Sequence, residues 1–260
     1  MNSKIIKEIN QKLDEIEKKE NIKILLAVES GSRAWGFASP DSDYDVRFIY
    51  VRDNKDYLRI NEIRDVIEWQ LDDTLDINGW DIKKTLILLK KSNPTIFEWW
   101  NSPIIYRKNE NFLDFSKYLE SYFSSKKLLF HYLNMVRGTY KENFKGSEVK
   151  LKKYFYVLRP IFAAKWIINK NSIPPIEFLK LLEEEKEIDS EIKNEIEKLL
   201  EIKLQISETG KNPRIAILDK YIEKNLEFLE NEAQKIVEKR KEVLNLDKYF
   251  CEIVLGIRKC

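Results

Sequence analysis

Asp43 and Asp45 stand two residues apart at the head of a run, Tyr44 to Val51, whose β-branched and aromatic content reads as a strand. Residues two apart on a strand share a face, so the two carboxylates project together with Arg47 behind them, while Tyr44, Val46 and Phe48 turn toward a core. Carboxylates at that spacing repel each other unless a cation sits between them, and hard oxygen donors select Mg²⁺ or Mn²⁺. A ridge of this kind can hold two ions about 3.5–4 Å apart, the arrangement used for in-line phosphoryl displacement. Gly31 and Ser32 precede Asp43 with ten residues between. Gly31 lets the chain turn tightly and approach a ligand, Ser32 offers a hydroxyl, and Arg33 adds a cation. The amides that follow can face phosphate oxygens if a helical turn starts there.

A second set lies in the other half of the chain, in Lys152-Lys153-Tyr154-Phe155-Tyr156-Val157-Leu158-Arg159-Pro160. On a helix Lys152, Tyr156 and Arg159 share a face, with Lys153 close to Tyr156. Such a row could grip a triphosphate and a base, or be core aromatics with cations at their flanks. His131 is the single histidine, which excludes a histidine-based metal site.

Elements must position these groups. Ile5, Ile6, Ile9, Leu13 and Ile16 recur at helical spacing, so a helix is predicted over 3–19. Ile24 to Val28 reads as a buried strand, Ser30 to Ser42 as a punctuated stretch ending in the turn Ser39-Pro40-Asp41-Ser42. Further strands are expected at Val66 to Gln70, Thr74 to Asn78 and Ile104 to Tyr106, and a helix from Ile82 to near Asn93-Pro94. Asp72 and Asp73 read as turn residues, and Trp99 and Trp100 as packing. Beyond residue 110 the periodicity is helical, with breaks expected at Gly138, Gly146, Pro174-Pro175 and Gly210 to Pro213. The expected organisation is an α+β domain over 1–108 and a helical domain over 109–260.

Charge carries its message in its distribution. The 260 residues are 35% charged with a net charge of only +2. Yet the segment 126–170 holds 11 Lys/Arg against 2 Asp/Glu, and 176–210 holds 5 Lys against 11 Asp/Glu. A basic segment of that kind suits triphosphate or nucleic acid, or forms a solvated face. Cys251 and Cys260 make no disulfide framework and no zinc spacing, which fits a reducing compartment. The N-terminus lacks the apolar core of a signal peptide, and no apolar run approaches the ~20 residues that span a bilayer. A cytoplasmic protein with no membrane partner is expected.

The joint pattern GSRAWGFASPDSDYDVRFIYV resembles the signature of the DNA polymerase β nucleotidyltransferase superfamily. About residues 20–225 are similar to the predicted nucleotidyltransferase family within it that is associated with RNA repair. The match rests on the Asp-bearing motifs, Asp81-Ile82-Lys83-Lys84 with Asn93-Pro94, and Lys152 to Pro160. The resemblance implies a mixed sheet flanked by helices and then an all-helical domain closing over the active site. It also implies transfer of a nucleoside monophosphate (NMP) from an NTP to a hydroxyl, with release of pyrophosphate and dependence on two Mg²⁺ or Mn²⁺ ions. A third carboxylate belongs on a later strand. Asp76, flanked by Leu75 and Ile77, is the first choice and Asp81, also placed as a helix N-cap, the second. Asp43, Asp45 and Asp76 would then bind metal, and Gly31, Ser32, Arg33, Lys152, Lys153, Tyr156 and Arg159 the nucleotide. The basic 126–170 segment favours an RNA 3′ end as acceptor. Alternatives are a small molecule, as in antibiotic-modifying members, a protein, as in toxin–antitoxin systems, or a nucleotide- or RNA-binding module without catalysis.

Overall fold

The computed structural model describes residues 3–70, 74–205, 210–237 and 242–256. The turn expected at Asp72-Asp73 and the second cysteine, Cys260, lie outside these residues. The chain forms two compact units, the first made of Met1–Gly31, Asp43–Tyr122 and Lys241–Cys260, the second of Ser32–Ser42 and Phe123–Arg240.

The first unit is built on a five-stranded mixed sheet. Helix α1 (Ser3–Glu20) leads into β1 (Ile22–Glu29), and the chain passes through the short α2 (Gly31–Trp35) before β2 (Tyr44–Arg52). There follow α3 (Asn54–Tyr57), β3 (Val66–Gln70), β4 (Leu75–Asp81), α4 (Ile82–Lys90), α5 (Pro94–Trp100), β5 (Ile105–Lys108) and α6 (Phe115–Tyr122). The strand order is β3-β4-β2-β1-β5. β2 runs parallel to β4, and the other neighbours are antiparallel.

Alternation along the strands decides what each face does. Ile9, Leu13 and Ile16 of α1 pack on Val46, Phe48 and Tyr50 of β2 and on Leu75 and Ile77 of β4. These side chains occupy every second position, so Asp45, Arg47 and Asp76 are left to the opposite face. Gly79 makes that core possible, because a Cβ there would meet the Phe48 ring at 2.1 Å. The strand expected to end at Asn78 continues to Asp81, which then caps α4 by accepting the Lys83 amide at 2.7 Å. Pro94 opens α5 at a position where its missing N–H costs nothing, with Asn93 as cap.

The second unit is helical: α7 (Ser125–Asn143), α8 (Lys152–Lys170), α9 (Phe178–Glu184), α10 (Ser190–Gln205) and α11 (Ala216–Lys235). A two-residue ladder, β6 (Glu148–Val149) with β7 (Asn212–Pro213), interrupts the expected all-helical pattern. Gly138 does not break α7, contrary to expectation. A glycine inside a helix costs about 1 kcal/mol, and the buried row Leu128, Leu129, Tyr132, Leu133 and Val136 outweighs it. The last helix, α12 (Leu246–Leu255), returns to the first unit, where Tyr249 lies 4.0 Å from the Tyr118 ring and Phe250 5.1 Å from that of Tyr57. Among the described residues no helix is long and apolar enough to cross a membrane.

Candidate active site

The parallel pairing of β2 with β4 sets Asp45 opposite Asp76, one residue against one. Arg47, two residues along β2, inserts a single nitrogen between them: Nη2 lies 2.8 Å from Asp45 Oδ1 and 2.7 Å from Asp76 Oδ2. Its Nη1 donates to the Asp76 carbonyl at 2.9 Å, which fixes the guanidinium to the start of β4. Two carboxylates so close need a positive charge between them, and here the chain supplies it. Asp43 stands exposed, one residue ahead of β2.

Gly31 ends the sheet side of the motif. Its φ of +60° is one that side chains resist, and a Cβ there would lie 2.0 Å from Asp45 Oδ2. The carboxylate therefore rests against bare backbone. The Ser30 amide adds a hydrogen bond to the Asp45 carbonyl at 2.8 Å.

Behind Asp45 sits a residue that sequence reasoning missed. Glu29, at the end of β1, is fully buried. Its Oε1 accepts the Asp45 amide at 3.0 Å, and its Oε2 accepts the Tyr106 hydroxyl. The signal was a carboxylate closing an otherwise apolar strand, which demands partners. Glu29→Leu takes their acceptor from the half-buried Asp45 amide and Tyr106 hydroxyl and should cost about 2 kcal/mol. Glu29→Gln should cost less, because glutamine can accept from the amide while the Tyr106 hydroxyl rotates to accept from it. Urea denaturation of the two variants measures the difference, and equal stability of both with the parent would contradict the arrangement.

Asp81 takes a structural place. It is buried, accepts the Tyr57 hydroxyl at 2.9 Å as well as the Lys83 amide, and lies at the far end of β4 from Asp76. Burial raises its pKa above the usual carboxylate value, against the opposing pull of the Lys83 amide and the Tyr57 hydroxyl. Folded Asp81 thus holds its proton more tightly than unfolded Asp81, whose pKa is about 3.9. From about pH 4 up to its raised folded value, the native state binds the extra proton and this group's contribution to stability falls as pH rises. Asp81→Asn keeps the cap and removes the titration. The stability of the variant relative to the parent should therefore climb across that window in denaturation curves taken at successive pH values, and parallel curves would contradict the assignment.

Within the second unit, the Ser32–Ser42 segment is anchored by its aromatics. Phe37 is fully buried and stacks on Phe155 at 5.0 Å, and Trp35 meets the Tyr156 ring edge-on at 5.8 Å. Ser32 is buried in the helical turn that begins at Gly31, and Arg33 donates to the Ser42 carbonyl. Ser39 and Ser42 close the turn through their hydroxyls at 2.9 Å. The row expected on α8 divides: Lys152, Lys153 and Tyr156 are half-buried, whereas Arg159 is 2% exposed. Arg159 donates Nε to the Ile176 carbonyl at 3.0 Å and lies 4.5 Å from the Trp35 ring centre. Lys203, buried in α10 and donating to Ser39 Oγ at 3.1 Å, was also missed. Its signal was its spacing from Ile196, Leu199 and Leu200, which puts a lysine on the apolar stripe.

Among the described residues no group of three His, Cys, Asp or Glu converges as a metal cage. The donor chemistry of the Asp45–Asp76 pair nevertheless suits a hard divalent cation, since Arg47 already occupies the place of a positive charge between two carboxylate oxygens.

Residues 5–252 match the family described as RNA repair pathway DNA polymerase beta, RlaP. The chain is 43% identical over 244 residues to Uncharacterized protein YcgL of Bacillus subtilis (strain 168), covering 94% of this chain and 92% of that one. Among solved structures it is similar to a nucleotidyltransferase-like protein from Exiguobacterium sibiricum 255-15. That likeness, at 15% identity and a TM-score of 0.33 over 87% of this chain and 75% of the other, is too distant to carry an assignment.

Proposed function

The chain belongs to the RNA repair pathway DNA polymerase beta family, RlaP, and from that premise we propose that it is a metal-dependent nucleotidyltransferase. It moves an NMP from an NTP to a hydroxyl acceptor, an RNA 3′ end, and releases pyrophosphate. The observation that carries this reading is the in-register pair Asp45 and Asp76 against the bare backbone of Gly31.

Asp43, Asp45 and Asp76 would hold the divalent ions. When bound, Mg²⁺ or Mn²⁺ lowers the pKa of an attacking hydroxyl and neutralises phosphate charge. The protein's own groups orient the reactants. Until a divalent ion takes its place, Arg47 keeps Asp76 and Asp45 facing one another, and Glu29 holds the Asp45 backbone from behind. Ser32 and nearby amides would hold phosphate oxygens, Arg33, Lys153 and Arg159 would offset charge on the departing pyrophosphate, and Lys152 and Tyr156 would grip the triphosphate and the base. Arg159 acts from a buried position over Trp35.

The test is incubation with each α-labelled NTP, Mg²⁺ and a pool of RNAs, with a chelator control. Label should become attached to RNA and stay unattached when the metal is removed. Label on no acceptor with any NTP, or only on something other than RNA, overturns the proposal in whole or in its acceptor.

A further inference from the structure

Cations of the second unit are commonly matched: Arg137 with Glu230, Lys165 with Glu185, Lys170 with Glu184, Arg214 with Asp219. Around the β6–β7 ladder the pattern changes. Among the described residues, Lys141, Lys145, Lys150, Lys153 and Lys211 make no ion pair. All but Lys153 are exposed. Chain contacts gather them. The Val149–Asn212 pair ends the ladder, and Lys150 and Lys211 follow one step beyond it on the two facing chain segments. The Arg214 amide donates to the Ser147 carbonyl at 3.0 Å, and its guanidinium donates to the Phe144 carbonyl and the Tyr140 hydroxyl at 3.0 and 3.1 Å. The Lys153 amide donates to the Lys150 carbonyl at 2.9 Å.

Like charges facing each other at the end of a ladder are destabilising, and nearby Glu142, Glu148 and Glu223, the last held by the Tyr140 hydroxyl, are too few to balance five lysines. An anionic partner relieves that repulsion. The cations are spread along three chain segments rather than converging on one point, which fits a chain of phosphates better than a single anion. Phe144 and Val149, apolar side chains that lie between them in sequence, are buried and so not available to insert into a bilayer.

We propose that the β6–β7 ladder and its lysines form a docking surface for the phosphate backbone of single-stranded RNA, read without regard to sequence. This rests on the reading of RNA as acceptor. The surface holds the substrate strand by charge and sets no base preference.

The variant Lys145→Gln/Lys150→Gln/Lys211→Gln removes three exposed charges that take part in no bond of the fold, so its melting temperature should match the parent's. Fluorescence anisotropy of a labelled mixed-sequence single-stranded RNA, titrated over a range of KCl, gives the salt slope. Each lost phosphate contact lowers that slope by about 0.7, so the triple variant should lose about 2 and bind at least about tenfold more weakly near physiological salt. Polyglutamate and anionic vesicles serve as competing probes. An unchanged slope in the variant, while the parent still labels RNA with NMP, overturns the surface and leaves the RNA reading standing. A parent that binds polyglutamate or vesicles more tightly than RNA, and labels no RNA, overturns both.

Discussion

Asparagine in place of Asp45 is expected to lower NMP transfer by about 10³-fold or more while leaving the fold in place. Stabilisation of phosphoryl charge by bound ions is worth several kcal/mol, and each 1.36 kcal/mol is tenfold in rate. An amide is a poor donor to a hard divalent ion in place of a carboxylate. Stability should change by about 1 kcal/mol at most, because the amide oxygen can still accept from Arg47 and one of two facing negative charges disappears. Asp43→Asn should show the same separation of activity from stability. Asp81→Asn is the contrasting control, since Asp81 serves the α4 cap. Transfer assays and thermal melts on the three variants decide the matter, and a wild-type rate in Asp45→Asn would refute the role given to the carboxylate.

Alanine at Gly31 should be nearly as damaging, for a steric reason. Its Cβ would lie 2.0 Å from Asp45 Oδ2 and 2.9 Å from Cγ, so the carboxylate must move. Displacing a catalytic group by an ångström costs on the order of 10²-fold in rate. The φ of +60° adds strain of about 1–2 kcal/mol in stability. Gly36 separates the two effects: its φ is +85°, but a Cβ there meets nothing within 4 Å. Gly36→Ala should therefore lose stability without the Gly31→Ala loss of transfer. If both alanines leave transfer intact, the approach of Gly31 to Asp45 has no bearing on the reaction.

Local pattern made much of this legible. The strand before Gly31, the turn, and the alternation from Tyr44 to Val51 follow from residue type alone, as does the strangeness of Asp76 between Leu75 and Ile77. The register of β2 on β4 was not legible, because parallel neighbours far apart in sequence leave no mark in either strand. Hence the sequence places Arg47 on the Asp face but carries no sign of it as the cation between Asp45 and Asp76. Helical spacing likewise put Arg159 in a row with Lys152 and Tyr156, yet α8 is buried on nearly every side from Tyr154 to Ala164, as its apolar surround would suggest. The return of α12 to the sheet unit depends on long-range aromatic contacts of Tyr249 and Phe250 that no local period reports.

The most direct measurement is anomalous diffraction from crystals soaked with Mn²⁺ and a non-hydrolysable NTP analogue. A manganese peak in contact with the Asp45 and Asp76 carboxylates, with Arg47 drawn aside from between them, is the expected result. Manganese bound elsewhere, with Arg47 still bridging the two aspartates while nucleotide is present, would contradict the account.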